Sequence, residues 1–185
     1  MEYQKIEVSQ IDALWELQKQ YKAAIGEDEP DSGAKERLTE AVGAGKILFY
    51  GAWEGASLIG CCSVTVGFST FDYKPSGVLE DFFICPAFRH QGIARRLVQF
   101  AYQESGVSSL TVGCADCDVP MYQALGFSIP LGNLLAFERE GRAITGGFSD
   151  MALPGKRDKK TNDEHGESVN GEWILPVIQA CIKRK

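Results

Sequence analysis

The chain has 185 residues, 44% hydrophobic and 24% charged, the composition of a globular protein long enough for one substantial core. Its formal net charge of −6 argues against broad electrostatic attraction to nucleic acid. No apolar run reaches the roughly 20 residues that span a bilayer, and Met1-Glu2-Tyr3-Gln4-Lys5 lacks the basic start of a secretory signal. The expectation is a cytoplasmic protein with neither nucleic acid nor membrane as partner.

Taken in order, residues 3–8 alternate and predict a first strand. Ser9-Gln10-Ile11-Asp12 reads as a capping box, with Ser9 capping and Asp12 returning the bond. Ile11, Leu14, Trp15, Tyr21 and Ile25 then form one apolar stripe, predicting a helix to about residue 24. Residues 26–32 are an acidic loop. Asp31 or Ser32 caps a second helix carrying Leu38, Ala41 and Val42, which ends near Gly43-Ala44-Gly45.

Residues 47–53 and 57–68 are β-rich runs joined by Glu54-Gly55-Ala56, a hairpin signal. A link over residues 69–77 leads to a strand at 78–84. That strand is apolar and aromatic apart from Glu80 and Asp81, and Pro86 stops it. Ile93, Ala94, Leu97, Val98 and Ala101 share one face of a helix over about 93–104. Between strand and helix, residues 89–94 present consecutive backbone N–H groups at a helix N-terminus. Such a terminus carries unpaired donors and partial positive charge, so it suits a phosphate. Gly92 lets an anion approach the backbone closely.

That helix is a crossover to a strand at 109–113, which predicts a parallel pair. Residues 120–125 form a short helix closed by Gly126, and 127–129 and 133–139 read as the last two strands. Residues 154–172 are polar, with both charge signs, and read as a linker. An apolar element around Trp173, Ile174, Leu175, Pro176, Val177 and Ile178 follows. It is expected to dock on the body or on a partner subunit, as in a homodimer.

Six cysteines stand at 61, 62, 85, 114, 117 and 181. Cys114-Ala115-Asp116-Cys117 is a CxxC, open to a redox or zinc reading. A structural zinc needs four ligands, and no second CxxC or paired-histidine element accompanies this one. The expectation is reduced thiols and no metal.

Arg89-x-x-Gly92-x-Ala94, after a strand and opening a helix, resembles the acyl-CoA signature of the GCN5-related N-acetyltransferase (GNAT) family. Tyr122-Gln123-Ala124-Leu125-Gly126-Phe127 downstream resembles that family's Tyr-x-x-x-Gly-Phe element. The element order matches too, over about residues 2–140. The resemblance implies an α/β (α+β) fold: a mixed, mostly antiparallel twisted sheet flanked by helices, its central parallel pair splayed at an acyl-CoA slot. It implies a catalytic domain over 1–140, a C-terminal extension over 141–185, and acetyl-CoA as acyl donor. The early helices would flank an acceptor site, with Glu27, Asp28, Glu29 and Asp31 either lining its entrance or forming a solvated loop.

The implied activity is transfer of acetyl to a primary amine of a small molecule or peptide. Donor contacts would come from the N–H groups of Gln91, Gly92, Ile93, Ala94 and Arg95, with Arg89, Arg95 and Arg96 as charge partners. The strand edge at Phe83, Ile84 and Cys85 would pair with the amide-bearing pantetheine arm, as a peptide adds to a sheet edge. A bulge there makes the slot in the family. Tyr122, with an ordinary phenol pKa of about 10, is the candidate general acid. Glu80 is the candidate base and Asp81 its substitute, since strand neighbours point to opposite faces unless a bulge intervenes. Residues 79–83 also resemble the corresponding strand of polyamine N-acetyltransferases, too short a match to assign a substrate. One departure concerns the loop before Tyr122, where many relatives carry Asn and Ala and this chain has Ala115 and Asp118. The alternative reading is an acyl-CoA-binding module that has lost turnover.

Overall fold

The computed structural model describes residues 1–131. A short strand, β1 (Glu2–Ile6), leads into a 3-10 turn at Val8–Gln10. The capping pair is Glu7 and Gln10, not Ser9 and Asp12: the Glu7 N–H donates to Gln10 Oε1 at 3.0 Å. The extra 3-10 turn moves the cap two residues back along the chain. Helix α1 (Ile11–Ile25) buries Leu14, Leu17, Gln18, Tyr21 and Ile25 and stops at Gly26, whose φ of 72° is the left-handed cap that glycine supplies without strain. Helix α2 (Ala34–Gly43) has no fully buried residue and rests on the body through Leu38 and Val42.

Strands β2 (Leu48–Glu54), β3 (Ser57–Ser69) and β4 (Lys74–Ile84) form an antiparallel meander. β4 starts earlier than residue 78. Pro75, Ser76 and Gly77, which read as link, are paired with Phe68, Gly67 and Val66. A proline is tolerated at the start of a strand, where its missing N–H breaks little of the ladder. Helix α3 (Ile93–Ser105) crosses to β5 (Ser109–Val112), and α4 (Val119–Leu125) follows a 3-10 turn at Asp116–Asp118.

The sheet order is β1-β2-β3-β4-β5, antiparallel except for the parallel β4–β5 pair. Each face has its own core. Tyr50, Cys62, Val64, Leu79 and Ile84 meet Leu97, Val98 and Ala101 of α3. Ile6, Phe49, Cys61 and Phe83 meet Leu14, Leu17 and Tyr21 of α1. Because both faces are covered, the middle of β3 is a continuous buried run rather than an alternation. The expected fold class stands. Residues 127–129, expected as a strand, carry no strand pairing. The expected strand at 133–139 and the extension over 141–185 lie outside the described residues.

Cys61, Cys62, Cys85 and Cys114 are free thiols, as expected, but Cys117 is disulfide-bonded, which overturns the expectation of a reduced thiol there; its bridge is not to Cys114. Among the described residues, no cluster of His, Cys, Asp and Glu could hold a metal ion, and no helix is long and apolar enough to cross a membrane.

Candidate active site

The site begins with a fault in β4. On β3 the step from Cys61 to Ser63 spans two residues, while the paired step on β4, from Phe83 to Glu80, spans three. The extra residue makes a β-bulge, and Asp81 takes a left-handed φ of 48° there. Asp and Asn are the non-glycine residues that best tolerate that conformation. The bulge resets the alternation of side chains. Leu79 belongs to the α3 face, Phe82 packs against that face again, and Phe83 belongs to the α1 face.

Both carboxylates consequently share the α1 face. Ser63 Oγ donates to Asp81 Oδ2 at 3.3 Å, and the Thr65 hydroxyl favours the charged form of Glu80. Ser63 and Thr65 are two apart on β3, hence on one face. Burial pushes the Asp81 carboxyl above its ordinary pKa, opposed by the Lys22 charge and the Ser63 bond. Burial and then the Asp81 charge push Glu80 up, opposed by Thr65. Lys22 itself is bonded to Glu27, Nζ to Oε2, at 3.1 Å.

The β4–β5 pairing ends with Leu79 opposite Val112, immediately before the bulge, and residues 80–84 have no β5 partner. On the other side the ladder continues, with the Cys85 N–H donating to Ile59 O at 2.9 Å. Alternation therefore turns the Phe83 and Cys85 backbones toward β3, and those of Phe82 and Ile84 toward the open edge. Of the three residues expected to offer backbone there, Ile84 has its backbone turned to the open edge, together with Phe82, which the sequence reading did not include, while Phe83 and Cys85 turn toward β3. The Ile84 carbonyl is taken by Arg89 Nε at 2.9 Å, and the Arg89 guanidinium lies 5.7 Å from the Phe83 ring centroid. Arg89 thus latches the strand end to the loop that follows.

That loop arrives at α3 through Gly92, with a φ of 75° and open space where a Cβ would stand. The first helical bond runs from the Arg96 N–H to Gly92 O, so the N–H groups of residues 93–95 are those a helix start leaves without helical acceptors. Gln91, Gly92, Arg95 and Arg96 are exposed, while Ile93 is buried and anchors the turn. Gln91 Nε2 donates to Ala87 O at 3.2 Å. Arg95 is engaged elsewhere, its Nη2 donating to Ala124 O.

Tyr122 projects from α4 and is 3% exposed. Its ring lies 6.4 Å from Phe82 and 5.9 Å from Phe127, edge-on to the latter. Burial, then the neighbouring Tyr21 and Asp118, push its phenol well above the ordinary value. Tyr21 comes from α1 and packs on Phe83 at 5.7 Å. Burial and the Asp81 charge push its phenol up as well. Sequence reasoning placed Tyr21 in the core stripe only. Its periodicity is that of core, and nothing local distinguishes a core tyrosine from one close enough to a carboxylate to feel its charge. In the acidic loop, Glu27 is paired with Lys22 and Asp31 with Arg37.

An unpaired strand edge beside a bulge, an exposed left-handed glycine at a helix start, and a buried tyrosine beyond them make up the candidate site. Residues 45–129 match the acetyltransferase (GNAT) domain model. Among solved structures, a probable acetyltransferase is 20% identical with a TM-score of 0.66, covering 76% of this chain and 100% of its own. An aminoglycoside acetyltransferase from an uncultured soil metagenomic sample, in complex with sisomicin, is 15% identical (TM-score 0.61; 75% and 94% covered). A predicted acetyltransferase with acetyl-CoA from Clostridium acetobutylicum is 20% identical (TM-score 0.56; 74% and 95% covered). These likenesses show the fold. No curated protein matches the chain in sequence.

Proposed function

We propose that the protein is an acetyl-CoA-dependent N-acetyltransferase that acetylates a primary amine by direct attack on the thioester. The observation that carries this reading is the bulge at Asp81. It frees the β4 edge and turns two carboxylates with raised pKa to one face, where an amine needs a base. The donor supplies an activated acetyl thioester whose sulfur departs as a thiol. Phe82 and Ile84 offer backbone to its amides, and the start of α3 offers N–H groups to its phosphates. Asp81 or Glu80 takes the proton that the incoming ammonium must lose, and Tyr122 holds the proton for the departing sulfur. A base with a pKa raised toward the working pH suits that task better than an ordinary surface carboxylate.

The test is incubation with acetyl-CoA and a panel of polyamines, aminoglycosides, amino acids and short peptides, read by product mass. An acetylated product is the expected result. Acetyl-CoA binding with no product and no CoA release would favour the module that has lost turnover.

Gly92 gives a prediction about the donor alone. A Cβ in the left-handed region costs about 1–2 kcal/mol, even in open space. Gly92→Ala is expected to weaken acetyl-CoA binding about tenfold, the equivalent of 1.4 kcal/mol, as the turn shifts to relieve strain. Calorimetric titration with acetyl-CoA checks it, and unchanged affinity would remove the turn from the donor site.

A further inference from the structure

Arg95 lies in the stretch expected to hold donor phosphates, yet its guanidinium reaches across to Ala124 O, a carbonyl 29 residues away on α4. Helix α4 is only seven residues long, too short to be stable without external support. Its C-terminal carbonyls need partners. Tyr122 O accepts from the Gly126 and Phe127 N–H groups at 3.1 and 3.0 Å, and Gln123 O accepts from Gly126 at 3.0 Å. Ala124 O is the carbonyl that Arg95 takes. A cation there also meets the negative end of the helix dipole.

We propose that Arg95 is a positioning residue that fastens the end of α4 to the start of α3, so that Tyr122 is held in register with the donor-binding turn. Tyr122 lies two residues before Ala124 and is buried between Phe82 and Phe127. A slide or tilt of α4 therefore carries the phenol with it. Arg95 follows Gly92 by three residues, so one bond joins the two parts of the site that must agree in position. This rests on the acetyl-transfer reading for its catalytic consequence, though not for the tether itself.

The experiment compares wild type, Arg95→Ala and Arg95→Lys in acetyl transfer, acetyl-CoA titration and amide hydrogen exchange. For Arg95→Ala the tether predicts a kcat about ten- to a hundredfold lower, the order expected for misplacement of about 1 Å. It also predicts a donor affinity within about twofold and faster exchange confined to α4. Arg95→Lys, which keeps a donor and a charge, should recover part of the kcat. Weakened acetyl-CoA binding with unchanged kcat and unchanged α4 exchange would overturn the tether and make Arg95 a phosphate partner. A wild-type protein silent toward every amine would reject acetyl transfer. In that case α4 exchange in Arg95→Ala still decides the tether: faster supports it, unchanged overturns it.

Discussion

Tyr122→Phe is expected to lower kcat about a hundredfold while acetyl-CoA binding stays within about twofold, the lower part of the usual range for a general acid. The substitution removes one oxygen and keeps the ring. The contacts with Phe82 and Phe127 that seat α4 therefore survive. The direction of the pKa shift says how the phenol acts. A phenol pushed up by burial never loses its proton across the working pH range, so it is always ready to donate. The same shift makes complete transfer to a thiolate uphill, because an ordinary thiol titrates near 8.5. The phenol then acts mainly as a hydrogen-bond donor to developing charge on sulfur, worth about as much as one donor in an oxyanion hole.

Steady-state kinetics with acetyl-CoA and the acceptor found by product mass measures this effect, with a separate donor titration. Unchanged turnover would remove Tyr122 from the chemistry and leave it as a core aromatic. A loss of donor affinity equal to the loss of rate would assign it to binding instead. Because its pKa is raised, wild type should show no alkaline decline attributable to Tyr122 in the ordinary phenol range.

The parts of this architecture that were legible in the sequence are those set by local chemistry. Pro86 ends a strand, Gly92 opens a helix, Gly26 and Gly126 close helices, and apolar spacing marks the buried faces of α1 and α3. These depend on residues within a turn of one another. The parts that were not legible depend on pairing. Nothing in Glu80-Asp81-Phe82 announces that β3 meets it one residue short, yet that register puts both carboxylates on one face and selects Ile84 for the open edge. The expectation that Glu80 and Asp81 face apart follows from a regular strand, and the bulge is where regularity fails. Arg95 is a similar case: its position suggests a phosphate, while its bond is to a helix end that sequence distance hides. Tyr21 reads as core because it is core, and its place beside Asp81 comes from the packing of α1 across the sheet.

Asp81→Asn is expected to lower kcat/KM about a hundred- to a thousandfold, within the range for loss of a general base, and at the same time to stabilise the fold at neutral pH. Asn tolerates the left-handed φ of 48° at least as well as Asp, and its amide oxygen still accepts from Ser63. The bulge therefore persists and only the charge is lost. Burial raises the Asp81 pKa in the folded state, so between its unfolded and folded values the native protein holds more protons than the unfolded chain. Stability contributed by this group thus falls as pH rises through that window, and the penalty is fully present above the folded value. Asn carries no such penalty. Each kcal/mol of relief raises Tm by about 2–4 °C in a chain of this size. The same change removes a negative charge beside Glu80, which should bring the Glu80 pKa down and move the residual acid limb of activity to lower pH. Thermal melts and rate profiles across pH 4–9, on wild type and variant together, measure both consequences. A lower Tm for the variant at neutral pH would mean that the Asp81 charge is compensated in the fold. An unchanged rate would transfer the base role to Glu80.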